Sequence, residues 1–299
     1  MNYIALSFDI EEWYHVAISL SLLEEKSLEE FLAKNEAASY DTITEATLRL
    51  LEILDYFDIR ATFFMVADVA TRFPRITEAL KRSKHEIASH SYTHTPAFES
   101  TRKIAGQPLN SWVEEQKMAK RCLEDIFETE VIGFRAPSAY FANWMVPELE
   151  KLGFKYDSSI AYNSFYNKTN VKLKNIPSKP YRLNSETLSN INPDSELYEL
   201  PWSYYKITKN LILPAGGAFF FRLFGYNYFK KVIEQSLKKG DTMFYLHPSD
   251  ITEKKISSRP LYRINKGKKT EKKFIKLLKK YKDLYKPCCE IYYKNLDGN

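Results

Sequence analysis

Apolar residues along this chain recur in two alternating rhythms. Residues 3–8 form a short apolar run that ends at Asp9, the pattern of a strand buried on both faces. Between Thr44 and Phe57, Leu48, Leu51, Ile53 and Leu54 return at helical spacing, with Asp41 or Thr44 as cap. Residues 61–66 are β-branched and aromatic, which predicts a second strand. The alternation continues with helical signal over 76–82, 112–127, 146–152, 228–239 and 272–281. Strand signal falls at 86–89, 131–134, 155–158, 197–200 and 242–246. Strands and helices joined by short links predict a parallel sheet. No repeat or linker divides the chain, so a single α/β domain over residues 1–299 is expected. The exception is 161–195, a polar insert rich in Asn, Ser, Lys and Pro, long enough to border a site.

Composition adds exclusions. At 44% apolar and 27% charged over 299 residues, the chain is neither disordered nor fibrous. Forty-four Lys+Arg against 38 Asp+Glu leave +6, and ten lysines crowd into residues 266–286. Phe274, Leu277, Leu278 and Tyr281 lie between them at helical spacing, so about 270–285 reads as a basic helix. Its lysines suit a solvated face, or attraction to an acidic polymer or an anionic membrane surface; nucleic acid is not expected. Three cysteines without a CxxC pair exclude a disulfide scaffold and a zinc ribbon. Asp9, Glu11 and Glu12 interrupt the N-terminal apolar stretch that a leader would need. The most apolar window, 211–225, is broken by Pro214 and Arg222 and is too short to span a bilayer. A cytoplasmic protein is expected, with the inner face of the membrane as a second location. The sequon beginning at Asn167 then carries no weight.

Four fragments carry candidate chemistry, and each follows a strand signal. His90 and His94 are four apart, a spacing that can present two imidazoles to one metal. Ser91 follows the first of them, so the HExxH protease pattern is absent and a base must come from elsewhere. Asp9 and Glu11 share one face of the first strand, while Ile10 and Glu12 turn away. Two carboxylates at the end of a buried strand need a cation or a basic partner. A divalent metal held by two His and one carboxylate, with the other carboxylate as base, meets that need. Arg135, in Phe134-Arg-Ala-Pro137, supplies a permanent cation that could hold Asp9. His247, in Tyr245-Leu-His-Pro248, brings a proton donor to the same rim.

The ordered set SFDIEEW, HEIASHSYTH, GFRAPSAYF and FYLHPSD resembles the motifs of the polysaccharide deacetylases, carbohydrate esterase family 4. The Asp-x-Glu spacing, with GFKYDSSI, LPAGGAFFFR and SRPLYRINKGKK, is similar to the divergent branch encoded with exopolysaccharide and surface-glycan genes. The likeness runs from about Tyr3 to Tyr285. It implies a single distorted (β/α) barrel, often of seven strands, and metal-dependent removal of acetyl groups from N-acetylated sugars. Carried over residue by residue, it makes Asp9 the base, Glu11, His90 and His94 the metal ligands, Arg135 the tether of the base and His247 the acid. In relatives with adjacent aspartates the second one binds the metal; here Ile10 fills that slot and the longer Glu11 must serve. The acid that orients His247 is open between Asp157 and Asp250.

The substrate expectations rest on less. Aromatic residues such as Trp13, Tyr14, Tyr140, Phe141 and Trp144 flank the proposed site and suit sugar faces, or form core and rim. Pro137, Ser138, Tyr140 and Trp13 are the expected substrate contacts, with the Ser138 backbone N–H near the oxyanion. The segment 214–222, whose Gly216 and Gly217 would let backbone approach a ligand, is expected to shape the cleft together with the insert. Imidazole and carboxylate ligands make zinc the first expectation, with cobalt or nickel tolerated. The expected substrate is a lipid- or nucleotide-linked N-acetylated sugar. The alternatives are a same-fold amidohydrolase acting on a cyclic imide or ureide, a non-catalytic glycan-binding relic, and a 2-His-1-carboxylate oxygenase. The last leaves Asp9, Arg135 and His247 without work.

Overall fold

A computed structural model describes residues 1–19, 27–35, 41–96, 108–162, 168–171, 173, 175–208, 211–253 and 264–297. In chain order its elements begin with β1 (Ile4–Ile10), α1 (Trp13–Ser19), α2 (Leu28–Lys34) and α3 (Thr44–Phe57). Next come β2 (Thr62–Met65), α4 (Ala67–Arg72), α5 (Pro74–Lys81), β3 (Glu86–Ser89) and α6 (Leu109–Phe127). The middle of the chain gives β4 (Gly133–Phe134), α7 (Met145–Lys151), β5 (Tyr156–Asp157), β6 (Tyr181–Arg182) and β7 (Tyr198–Glu199). The remainder is β8 (Tyr204–Lys206), β9 (Ile212–Pro214), α8 (Ala218–Leu237), β10 (Thr242–Leu246), a helix Lys268–Lys280, β11 (Tyr285–Lys286) and a helix Cys288–Asp297.

All strands except β8 and β9, which pair as a separate antiparallel hairpin, form one curled sheet in the order β10-β1-β2-β3-β4-β5-β7-β6, with β11 added beside β1. Every neighbour pair from β10 to β7 is parallel, which makes seven parallel strands along this path; β6 closes its end antiparallel. Residue period sorts the side chains into an inside and an outside. Ile4, Leu6, Phe8 and Ile10 of β1 pack outward with Phe63, Ile87, Phe244 and the helices. Ala5 packs inward with Phe64, Ala88, Met243 and Tyr245. Asp9 shares the inward face with Ala5, so its carboxylate is carried into the barrel. Between β7 and β10 the barrel is held by side chains: Ser203 Oγ donates to the Met243 carbonyl (3.0 Å), and the Trp202 ring lies 4.4 Å from that of Tyr245. The expected distorted α/β barrel with seven parallel strands is present.

The C-terminal helix stoppers the far end. Ile291 and Tyr292 join Tyr156 and Tyr198 in the inner cluster. The Cys288 and Cys289 N–H groups donate to Thr62 Oγ1 (2.7 Å) and Glu86 Oε2 (2.9 Å) at the N-terminal ends of β2 and β3. Only the carboxyl ends of the strands are left for a site. The three cysteines are free.

The helix predicted at 228–239 starts ten residues earlier, at Ala218. Gly225, at φ 75°, breaks it into two rods, and the first rod, AFFFRLF, has no polar face to reveal a period. The insert is also more structured than its composition suggests. Tyr181–Arg182 pairs with β7, and Tyr181, Leu183 and Leu188 are buried. Asn167 of the sequon, residues 163–166 of the insert and 258–263 of the SRPLYR segment lie outside the described residues.

Candidate active site

Four strand ends converge. Asp9 is the last residue but one of β1 and Glu11 follows the strand; His90 follows β3, Arg135 follows β4 and His247 follows β10. All but His247 are nearly inaccessible to solvent. Glu11, His90 and His94 each offer a ligand atom, and those atoms lie within 4.8 Å of one another. Glu11 Oε2 is 2.6 Å from His94 Nε2 and 3.3 Å from His90 Nε2. Burial works to raise the Glu11 carboxyl, but its contacts with the imidazoles of His94, His247 and His90 hold it well below its usual range. For His94 burial prevails over the neighbouring Glu11 and lowers the imidazole, which favours the neutral form a metal requires.

The imidazoles are aimed by their surroundings. His90 Nδ1 lies 2.7 Å from the Arg135 carbonyl; a carbonyl only accepts, so Nδ1 carries the proton and Nε2 keeps its lone pair for the site. His94 and Ser91 both adopt positive φ (63° and 68°), a costly conformation for residues with a side chain. The loop is held there by α6. Glu115 Oε1 accepts from Ser91 Oγ (3.0 Å), Thr93 N (2.7 Å) and Thr93 Oγ1 (2.7 Å), and Gln116 Nε2 donates to Ser91 Oγ (3.0 Å). Sequence reasoning missed this pair. The signal was there: Glu115 and Gln116 fall on the stripe Trp112, Ala119, Leu123 that faces the core. Two imidazoles preset in this way, with a buried ionised carboxylate between them, fit a divalent cation such as zinc.

Asp9 is engaged differently. Arg135 Nη1 donates to Asp9 Oδ1, leaving Oδ2 turned to the site. The guanidinium is itself clamped: Nε donates to the Ser158 carbonyl (2.8 Å), Nη2 to Ser158 Oγ (3.0 Å), and the Phe64 ring centroid lies 3.9 Å from its carbon. Trp202 Nε1 shares the Ser158 carbonyl at 2.9 Å. Glycines make room for these rings. A Cβ on Gly216 would meet Trp202 at 2.6 Å, and one on Gly217 would meet the Tyr245 hydroxyl at 2.3 Å. The close approach expected of this Gly-Gly pair is therefore to aromatic rings of the barrel. Glu12 turns away, accepting from Thr42 Oγ1 (2.9 and 2.7 Å) and from Trp13 N (3.0 Å).

His247 Nε2 is 3.3 Å from Glu11 Oε1 and 3.8 Å from Asp9 Oδ2. Its other nitrogen lies 3.3 Å from Asp250 Oδ2, which also accepts the His247 backbone N–H at 2.8 Å. Burial would lower this imidazole, but hydrogen bonds to Asp250 and Glu11 and their charges raise it to about 10. Asp250 is anchored by Arg222 Nε at 2.8 Å; against its burial, the His247 and Arg222 partners bring its carboxyl down to about 2. Of the two acids the sequence left open, Asp250 is the one at the imidazole. Asp157 points elsewhere, accepting from Ser159 Oγ (2.6 Å) and N (3.0 Å) and interacting with Glu199.

The expected substrate contacts are placed unevenly. Pro137 and Tyr140 are buried, and Ser138 follows Pro137 in a left-handed conformation (φ 53°) with its carbonyl accepting from Lys168 Nζ (2.7 Å). Trp13 packs edge-on to Phe31 (6.0 Å) in a small cluster of α1 and α2.

A curled parallel barrel with an Asp-x-Glu strand end, a buried His pair, a tethering Arg and a His over its rim places the chain, by fold, beside the (β/α) barrel deacetylases. Residues 33–156 match the family model for polysaccharide deacetylase, and residues 161–285 match a domain of unknown function, DUF3473. The chain thus carries a polysaccharide deacetylase segment followed by a DUF3473 segment. Asp9 and Glu11 precede the first matched range, whereas His247 lies in the second. The peptidoglycan deacetylase of Helicobacter pylori is 28% identical over 117 residues, 39% of this chain and 38% of that protein. The match thus spans well under half of that relative. A putative polysaccharide deacetylase from Mycobacterium smegmatis shares the fold with TM-score 0.53 at 23% identity, over 82% of this chain and 76% of the other. Puue allantoinase does so with TM-score 0.57 at 17% identity, over 98% and 90%. Among the described residues no helix is long and apolar enough to cross a membrane.

Proposed function

We infer that this protein hydrolyses the acetamide of an N-acetylated sugar in surface-polysaccharide biosynthesis, as one single-domain catalyst. The observation that carries the reading is the division of labour between two neighbouring carboxylates: Glu11 faces two imidazoles, whereas Asp9 is tied by one oxygen to a buried arginine. Held by Glu11, His90 and His94, a divalent metal (zinc first, cobalt or nickel by substitution) would acidify a water and polarise the amide carbonyl. The rest is the work of the chain itself. Asp9 Oδ2, aimed by Arg135 through Oδ1, takes the proton of the attacking water. His247 gives a proton from Nε2 to the departing amine, with Asp250 keeping the ring oriented through Nδ1. Backbone N–H groups at Ser138 and the polar surroundings support charge on the former carbonyl oxygen. Pro137, Tyr140 and Trp13 would bound the sugar.

A lipid- or nucleotide-linked sugar suits this catalyst better than an insoluble wall polymer, and a cytoplasmic or inner-membrane location goes with that substrate. The test is acetate release from a panel of N-acetylated sugars, with allantoin as a competing ureide, before and after chelation and metal return. Chelator-sensitive acetate from a sugar supports the reading. Turnover of the ureide without acetate from any sugar overturns it.

A further inference from the structure

The first rod of α8 carries an aromatic face that the barrel does not use. Ala218, Phe221 and Arg222 point inward and are buried, while Phe219, Leu223 and Phe224 are 36–44% exposed. The apolar surface continues from Phe224 to Tyr228 (4.7 Å between rings), from Tyr228 to Tyr205 (5.7 Å), and so onto the β8–β9 hairpin. Ile207 and Leu211 at the end of that hairpin are about half exposed, at 49% and 47%. A contiguous patch of this kind on a soluble domain marks a surface meant to be covered.

Charge beside the patch identifies what covers it. The lysine-rich helix Lys268–Lys280 runs along α8, with Lys276 Nζ 4.3 Å from the Tyr226 ring and Lys273 Nζ 3.4 Å from the Arg222 carbonyl. Glu271 of that helix is turned to Arg49, and Glu234 takes up Lys280, so its acids do not neutralise this flank. Lys273 and Lys276 thus lie beside the Arg222–Tyr226 stretch, with Lys269 and Lys272 one turn back along the same helix. Exposed aromatic and aliphatic side chains rimmed by lysines match an interface with anionic lipid: rings enter the headgroup boundary while ammonium groups meet phosphate.

We propose that the Ala218–Phe224 face of α8, with the lysines of the neighbouring helix, is the surface by which this protein docks on an anionic membrane. The geometry gives the contact a use. Arg222, on the opposite side of the same rod, holds Asp250 at His247. The docking face therefore lies on the outer side of the rod whose inner side supports His247 through Asp250. That use rests on the deacetylase reading; the docking itself does not.

Co-sedimentation of the full chain with phosphatidylcholine vesicles, with and without about one third phosphatidylglycerol, tests the docking without reference to catalysis. Binding to the anionic vesicles, weakened at least tenfold by Leu223→Ser with Phe224→Ser, by Lys269→Glu with Lys272→Glu and Lys276→Glu, and by high salt, is the expected result. Melting curves of both variants should overlay the parent, since every altered side chain is at the surface. Absence of binding to anionic vesicles overturns the proposal. So does a dimer in sedimentation velocity that the Leu223→Ser, Phe224→Ser variant converts to monomer, because a second copy would then be the cover.

Discussion

Replacing Asp250 by Asn keeps the size and an acceptor oxygen of the side chain but removes its charge. In the structure Asp250 Oδ2 accepts the His247 N–H at 2.8 Å and faces Nδ1 at 3.3 Å, while Oδ1 accepts from Arg222. The asparagine oxygen can still accept from Arg222, but its amide nitrogen then faces the His247 backbone N–H, so that bond is lost too and a melting curve is read alongside activity. What it loses at the ring is a hydrogen bond assisted by charge, about 1.5–3 kcal/mol. That energy holds the His247 ring in register with the departing amine, so its loss should lower kcat by about 10- to 150-fold. KM and metal stoichiometry should be nearly unchanged, because neither Glu11 nor the imidazoles of His90 and His94 touch Asp250. The control is Asp157→Asn, which alters the buried Asp157–Glu199 pair and leaves His247 untouched. The assay is steady-state acetate release on whichever N-acetylated sugar proves active. An unchanged kcat in Asp250→Asn, together with a large fall in Asp157→Asn, would refute the assignment.

Other expectations follow from the same geometry. Arg135→Met strands Asp9 as an unpaired buried charge and should cost about 3–5 kcal/mol in urea unfolding, a loss below about 1 kcal/mol being incompatible with the ion pair. The His85 ring accepts the Ala61 N–H at 3.2 Å, and burial lowers its pKa from 6.5 to about 4. The unfolded chain therefore takes up the proton first: the stability His85 confers is whole above about pH 6.5 and is lost as pH falls toward 4. His85→Gln, which keeps an acceptor, should flatten the change in urea midpoint between pH 7 and pH 4.5; identical pH profiles for the two proteins would contradict this.

The barrel was legible because its strands are short apolar blocks that stop at a charged residue, and because residue period assigns each side chain to the inner or outer face. Strands at 86–89 and 242–246 have the bounds their patterns indicate. The short helices α1, α2 and α4, at seven, seven and six residues, cover too few turns for a period to register. The six residues placed at the site, Asp9, Glu11, His90, His94, Arg135 and His247, do converge. Each lies at or shortly beyond the carboxyl end of a strand, and parallel strands bring those ends together. Their supports were harder to foresee. Glu115, Ser158, Trp202 and Arg222 act across large sequence separations, and nothing local marks which buried polar residue meets which. Gly216 and Gly217 illustrate the limit: small residues announced a close approach, but the sequence did not say that Trp202 and Tyr245 would be the groups approaching.

The central claim is that Glu11, and not Asp9, joins His90 and His94 in holding a metal, leaving Asp9 as the base. Calorimetric titration of zinc into the apo forms of the parent, Asp9→Asn, Glu11→Gln and His90→Ala with His94→Ala tests it directly. The account predicts one equivalent bound by the parent and by Asp9→Asn, weakened binding to Glu11→Gln, and none to the double histidine variant. Zinc lost by Asp9→Asn and retained by Glu11→Gln, or bound unchanged by the double variant, would contradict it.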